Sequence, residues 1–308
     1  MSKTAPAAAP RAHSALLYSL IALIMTAWSV NFIVVKITLR HLDAFTLAPF
    51  RIVLAGLIVI PLYLLTPRRG RFERRDFKLF AVLGFFGVAV NTGFFTLGLS
   101  LTTAGHSAVI VSMAPVLVLL LARASGLERL TAGKILGMSI SIIGIAILEV
   151  DRHGHGSLAG DLITLCGSTG FAIYTVLSKK VAGKYDPVAM STFNSLVAAV
   201  LFLPFAVWQG LHLDWAGVGW VGWAGVFYMA GISSVAAYTI YYWALQHMAA
   251  SRLAAFSYVE PVLVAFLGVL ILGEALTVRF LIGGALALLG LYLAERGLGE
   301  KSIPPEPV

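Results

Sequence analysis

The chain has 308 residues, 59% of them hydrophobic and only 12% charged, and its 22 Lys and Arg against 14 Asp and Glu give a formal charge of +8. A soluble globular domain carries about 25% charged residues, so a water-soluble fold is excluded. The single cysteine, Cys166, excludes disulfides and cysteine-based metal sites within one copy of the chain.

In chain order, residues 1–14 come first as an Ala/Pro-rich polar tail. Its small residues precede the apolar run, the reverse of a cleavable signal, so the tail is expected to be uncleaved, disordered and cytoplasmic. Ten apolar windows follow, at roughly 15–35, 45–65, 79–98, 104–122, 132–149, 158–181, 188–208, 218–244, 253–272 and 278–294. A helix needs about 20 mostly apolar residues to cross the hydrocarbon core. The loops between windows are short and leave no space for a separate soluble domain. Residues 296–308 read as a second cytoplasmic tail. Glycines fall inside the windows, among them Gly133, Gly137, Gly283, Gly284 and Gly290. In lipid such small residues let helix backbones approach closely.

The windows form a tandem repeat. Lys36 and Lys179, Asp43 and Asp186, and Pro61 and Pro204 are each 143 residues apart. Pro115 and Pro261, Glu128 and Glu274, Thr131 and Thr277, Gly137 and Gly283, and Gly144 and Gly290 are each 146 apart. Each half, 15–150 and 151–295, holds five windows. Five is odd, so the second half enters the membrane from the opposite side. The expected fold is therefore an all-α membrane protein of ten transmembrane helices in two inverted five-helix repeats. Such repeats around a midplane site are the architecture of a secondary transporter.

With the N-terminus inside, 17 Lys and Arg lie on the inner side and 4 on the outer side. The positive-inside rule then places both termini in the cytoplasm. The basic run 68–78 reads as a topology anchor near anionic lipid and not as a nucleic-acid patch.

Two charges inside the windows have no like partner in the other half. Arg51 matches Asn194, and Glu260 matches Ala114. A charge at helix centre costs about 2.5–3.5 kcal/mol on insertion scales, so it faces the bundle interior and marks a pathway. Window positions put the two about 9 Å apart in depth at 1.5 Å per residue. Two readings stand. Arg51 snorkels outward or pairs with Glu260 as structural glue. Alternatively the two hold opposite ends of a zwitterion, with Glu260 also the candidate for proton coupling, since intramembrane carboxyls serve as proton relays.

Neutral polar residues extend the candidate binding set: Asn31 and Tyr174 at matched positions, Asn91, Asn194, Ser234, Tyr238 and Tyr258. Helix–helix hydrogen bonding is the alternative role for each. Gly231, Ser234, Tyr238 and Tyr241 fall on one face of the eighth window and could line a cavity, although Tyr241, Tyr242 and Trp243 near a window end read as an interfacial aromatic belt rather than a substrate box. His106 lies near the outer end of the fourth window and is of a type that titrates near neutral pH. Pro115 and Pro261 interrupt the fourth and ninth windows and are expected to kink them. Thr131 and Thr277 are placed to cap the fifth and tenth helices, with Glu128 and Glu274 beside those helix N-termini.

Trp28–Ser29–Val30–Asn31–Phe32 resembles the opening motif of EamA-type proteins of the drug/metabolite transporter superfamily. So do Pro115–Val116, the Glu-x-Leu-Thr runs 128–131 and 274–277, Gly160–Asp161, Glu260–Pro261–Val262, and the glycine pairs 137/144 and 283/290. The resemblance covers roughly 15–294. It implies ten helices, the first four of each half around a central cavity and the fifth and tenth peripheral. Ala114, where the second copy has Glu260, is the departure.

The chain carries no HExxH, P-loop or GxSxG, and Asp151, His153 and His155 offer too few ligands for a metal site. The expectation is thus no enzyme, no cofactor and no metal. It is instead a secondary-active or facilitative exporter of small polar metabolites, amino acids among them, in a bacterial inner membrane. Its partners are the small-molecule substrate, the lipid bilayer and protons, not nucleic acid. An exporter of hydrophobic cations, or a membrane enzyme or sensor, is the alternative. Oligomeric state stays open.

Overall fold

The computed structural model describes residues 11–66, 73–127, 131–150, 157–274 and 277–296. It is helical throughout, with no β-strand among the described residues beyond one isolated bridge between Ala182 and Tyr185. The helices are α1 (Arg11–Thr38), α2 (Ala44–Leu65), α3 (Arg74–Leu101), α4 (Ala104–Ala124), α5 (Ala132–Val150), α6 (Leu158–Lys180), α7 (Pro187–His212), α8 (Gly219–His247), α9 (Ala250–Leu272) and α10 (Val278–Arg296). Eight of them, all but α5 and α10, are long and apolar enough to cross a membrane. Phe45, Leu57, Val200, Phe205, Phe266 and Leu281 are exposed on the outer surface, where apolar area of this extent fits lipid. The chain is a multi-pass membrane protein.

Two loop-bearing ends are recognisable by their helix caps. Asp43 accepts from the backbone of Phe45 and Thr46 at 2.9 and 3.1 Å, and Asp186 accepts from Val188 at 2.9 Å. These carboxylates satisfy orphan N–H groups at the starts of α2 and α7, which accounts for their recurrence at one offset. The ends are called the Asp43 face and the Asp186 face below.

Packing pairs α2 with α7, α3 with α6, α4 with α6, α1 with α8 and α9, α4 with α9, α3 with α7, α2 with α8 and α5 with α10. Exchanging α1–α5 for α6–α10 leaves this set unchanged. Helices α5 and α10 run antiparallel, pack mainly on each other and touch the rest sparingly. A Cβ built on Gly144 would lie 2.4 Å from the Ala287 nitrogen, and one on Gly290 would lie 2.4 Å from the Ser141 nitrogen. Ser141 Oγ donates to the Ala287 carbonyl at 2.9 Å across the same crossing. Backbones this close admit only glycine. Gly284, one residue from Gly283, has open space instead.

Besides two small clusters around Ala198 and Val59, the apolar core comes in two main parts. One, toward the Asp186 face, gathers Ile21, Met25, Phe80, Val118, Met190, Tyr242 and Leu253. The other, toward the Asp43 face, gathers Phe32, Val35, Leu47, Leu99, Ala108, Met229 and Val264. A cavity lies where they meet.

The helices bordering that cavity are irregular. α3 carries a π-helical turn at Phe85–Val90 and α8 carries one at Met229–Ala236. α4 breaks at Ser112–Met113, just before Ala114–Pro115, and α9 tightens to a 3₁₀ turn at Phe256–Tyr258, just before Glu260–Pro261. Proline lacks an N–H and clashes with the preceding turn, so the ladder opens there.

Glu274 serves a helix distant in sequence. Its Oε1 accepts from Ala104 N at 2.8 Å and its Oε2 from Gly105 N at 3.1 Å, so it caps the start of α4. Glu128 lies outside the described residues, so its cap is not described. Nearby, Lys36 Nζ donates to the Thr102 carbonyl at the end of α3. Its repeat partner Lys179 donates to the carbonyls of Leu245 and Met248 at 2.7 and 2.9 Å, at the end of α8. Each lysine thereby satisfies helix-end carbonyls that have no intrahelical partner.

Candidate functional site: a central cavity with two unlike charges

The cavity has an empty volume of about 710 Å³, including its open mouth, and is lined by α1, α2, α3, α4, α6, α8 and α9. α7 contributes nothing to the lining, and neither do α5 and α10.

Six aromatic rings, Trp28, Phe32, Phe95, Phe171, Tyr238 and Tyr241, form one part of its wall. Trp28 of α1 packs against Phe171 (5.7 Å between centroids), Tyr238 (5.9 Å) and Tyr241 (5.4 Å). The polar tips of these rings are spent inside the protein. Trp28 Nε1 donates at 3.0 Å to the Ser233 carbonyl, within the π-helical turn of α8. Tyr238 Oη lies 2.7 Å from Asn91 Oδ1 and 2.9 Å from the Gly87 carbonyl. Tyr241 Oη lies 3.2 Å from Thr175 Oγ1. The cavity therefore meets apolar ring surface, a pattern that suits an apolar or cationic group.

Against this wall stand two charges. Arg51 of α2 and Glu260 of α9 are both buried, at 4% and 3% exposure, and both line the cavity. Arg51 does not snorkel to the membrane surface, and no ion pair joins it to Glu260 among the described residues. Arg51 Nη2 donates to Ser234 Oγ at 3.4 Å, a long bond, while Nε and Nη1 have no hydrogen-bond partner among the described residues. Asn31 Oδ1 and Ser257 Oγ, on the same lining, are also without hydrogen-bond partners among the described residues. A guanidinium keeps its charge, and unmet donors on a buried charge are costly. Glu260 lies near enough to Tyr241 for the two to interact electrostatically.

Of the residues singled out by sequence, Asn31, Arg51, Asn91, Tyr238 and Glu260 line the cavity. Tyr174, Asn194, Ser234 and Tyr258 do not. Tyr174 and Asn194 are buried behind the wall beside each other, and Ser234 backs Arg51. The 3₁₀ turn of α9 brings Ser257 to the lining in place of Tyr258. Tyr241 is 1% exposed and part of the cavity wall, so it does not belong to an interfacial belt. Pro115 and Pro261 sit beside lining positions Ala114 and Glu260. Trp28, Thr92, Phe95, Ser168, Phe171 and Ser233 line the cavity and were not read as site residues. For α1 the signal was present: Met25, Trp28 and Phe32 recur at helical spacing on one face. Asp151, His153 and His155 lie outside the described residues, and no cluster of metal-ligating side chains occurs among the described ones.

Residues 15–150 and, separately, 158–295 match the EamA-like transporter family. The chain belongs to that family. An uncharacterized transporter of Archaeoglobus fulgidus is 29% identical over 280 residues, spanning 90% of this chain and 97% of its own. A probable amino-acid metabolite efflux pump of Salmonella typhimurium is 25% identical over 285 residues, spanning 88% of this chain and 92% of its own. A crystal structure at 20% identity covers 94% of this chain with a TM-score of 0.65, a likeness of fold. The chain is thus a transporter.

Proposed function

We propose that this transporter exports small polar metabolites, zwitterionic amino acids among them, by alternating access across a bacterial cytoplasmic membrane. The observation that carries the substrate reading is that Arg51 and Glu260 share one cavity without pairing with each other. Arg51 offers its Nε and Nη1 edge to a carboxylate, whose two oxygens match a guanidinium fork. Glu260, with Ser257 near it on α9, takes the ammonium end. Of the two roles open to Glu260, amine partner and proton carrier, the aromatic wall favours the first, because ring faces and a carboxylate together suit a cation. The printed name of the Salmonella relative supports the same class.

Ten helices in two inverted repeats (15–150 and 151–295) fit the reading. The unchanged helix pairing on exchange of the halves and the antiparallel α5–α10 crossing support it. The Asp43 face is then external and both termini cytoplasmic, as the bias of basic residues suggests. Gradients supply the energy, and protons are the coupling partner considered below.

The test is efflux of a labelled amino-acid mixture from proteoliposomes. Selective efflux that Arg51→Gln and Glu260→Gln abolish is the expected result. Efflux unaffected by either variant overturns the assignment. A second reading, export of hydrophobic cations, is favoured by the aromatic wall alone. It requires cation efflux that Glu260→Gln abolishes and Arg51→Gln leaves intact.

A further inference from the structure

We propose that a buried pair outside the cavity, His106 and Asp161, is the proton-binding site that couples transport to a pH gradient. The proposal rests on the transporter reading but not on the amino-acid assignment.

His106 lies in the first turn of α4 and Asp161 in the first turn of α6, and His106 Nδ1 is 4.0 Å from Asp161 Oδ2. They are 8% and 3% exposed, and neither lines the cavity. The repeat offsets of 146 and 143 map them onto Arg252 and Tyr18 in the other half. Those two also meet: Arg252 Nη2 donates to Tyr18 Oη at 3.3 Å, and both residues are exposed. The fold therefore brings the same two positions together at both ends. At the Asp186 end it fills them with residue types that do not exchange protons near neutral pH. At the Asp43 end it fills them with a histidine, which does, and buries it against a carboxylate. Packing alone does not demand a titratable pair, because the other end manages without one.

The same helix start carries a second contact. Ala104 and Gly105, the residues immediately before His106, give their N–H groups to Glu274 at 2.8 and 3.1 Å. Thr103 Oγ1 accepts from His106 N at 3.1 Å. One helix start thus serves two carboxylates, Glu274 on its backbone and Asp161 on its histidine. A proton entering from the Asp43 face adds to the imidazole nitrogen that lacks one. The resulting cation draws Asp161, and it adds positive charge to a helix terminus already positive by its dipole. That changes how strongly α4 is held to α6 and to the segment after α9. Deprotonation reverses the step.

Among the described side chains, the charged groups presented to this turn are Asp161 from α6, Glu274 from the segment after α9, and Lys36 from α1, whose Nζ sits on the Thr102 carbonyl. α3 has no titratable residue between Asn91 and Leu101. Glu260 of α9 faces the cavity. Lys134 and Glu149 of α5 lie outside the described side chains.

The experiment uses the full chain in proteoliposomes with a labelled amino-acid mixture. Counterflow at equal pH needs the substrate site but no net proton movement, whereas stimulation of net efflux by an imposed pH gradient needs the coupling site. For His106→Gln and Asp161→Asn, gradient stimulation is expected to fall about tenfold with counterflow within about twofold of wild type, since the variants remove a linked proton and not a ligand. Full stimulation in His106→Gln, or no stimulation in wild type, overturns the proposal. Loss of stimulation in Glu260→Gln alone, with its counterflow kept, also overturns it and assigns the proton to Glu260.

A second measurement is independent of substrate. The melting-temperature difference between wild type and His106→Gln in detergent is followed from pH 5 to 8. A proton held by the His106–Asp161 pair in the folded chain, and not in the unfolded one where the pair is apart, makes that difference vary with pH, by linkage. A constant difference overturns the proposal. If wild type shows no counterflow of any amino acid, the amino-acid reading fails and the melting comparison decides the proton site.

Discussion

The two ends of this bundle are built from one plan and finished differently. At both ends an aspartate caps the second helix of the half, Asp43 or Asp186. At both a lysine from the first helix, Lys36 or Lys179, holds the carbonyl end of the third. The Asp43 end adds the buried His106–Asp161 pair. The Asp186 end adds a half-exposed network in which Lys184 reaches Asp76 at 2.5 Å and Tyr185 also donates to Asp76. What both ends share answers to the backbone, because helix termini leave N–H and C=O groups that need partners. What they do not share is free of that demand, and that is where asymmetric function has room. The same division holds at mid-depth, where Arg51 opposes Asn194 and Glu260 opposes Ala114.

The largest effect is expected where the shared plan leaves no space. Gly144→Leu or Gly290→Leu drives a side chain into the facing backbone, 2.4 Å from Ala287 N or Ser141 N. Overpacking costs about 1–3 kcal/mol and more where backbone must shift, so these variants should lose folded protein on size-exclusion chromatography. Gly284→Leu, in open space, should not. Equal damage from all three would break the contrast.

Next come the unshared charges. Arg51→Lys keeps the charge and loses the fork, and should weaken substrate affinity about tenfold, equivalent to 1.4 kcal/mol. Folding should be unchanged, as read by the melting temperature. The matched Asn194→Ala, behind the wall, should leave affinity alone.

The clamps give a smaller and more even effect. Glu274→Gln keeps one of the two oxygens that hold the backbone N–H groups and should cost about 1 kcal/mol, the net worth of one hydrogen bond. Lys36→Met and Lys179→Met should lower the melting temperature by similar amounts. A marked difference would show that the two lysines carry unlike loads.

The smallest effect belongs to the Asp186-end network. Burial and the neighbouring Asp76 push the Tyr185 phenol up to about 12. A raised phenol value means its contribution is fully present below the ordinary tyrosine range, near about pH 10, and is lost as pH rises through the folded value. Tyr185→Phe should therefore differ from wild type in melting temperature at pH 8 and converge on it above pH 12.

Much of the fold could be read without coordinates. Helices assert themselves through apolar runs of membrane length, and the repeat spacing pairs residues such as Gly144 and Gly290 that later meet across one crossing. Comparing the halves singled out Arg51 and Glu260, and both line the cavity. The reading was weaker wherever side-chain direction depends on irregular backbone. A period of 3.6 residues carries Tyr258 toward the same face as Glu260's neighbours, but the 3₁₀ turn at Phe256–Tyr258 presents Ser257 instead. Tyr241 looked interfacial by its place near a window end, whereas the π-helical turn just before α8's second half precedes its burial against Trp28. Glu274 was read beside the helix next to it in sequence, and spacing did not show that it serves α4, 169 residues away from it at Gly105.

By itself the sequence determined that this chain lives in a membrane, that its two halves are copies, and which charges break their likeness. Those properties follow from composition and spacing, which act locally along the chain. Only the tertiary structure decided that Arg51 and Glu260 share a cavity without pairing, that Glu274 caps a distant helix, and that His106 meets Asp161. Each of these depends on which helices touch, and the placing of Glu260 and Glu274 follows a 3₁₀ and a π turn in α9. Such turns arise from packing between helices, and no local propensity announces them.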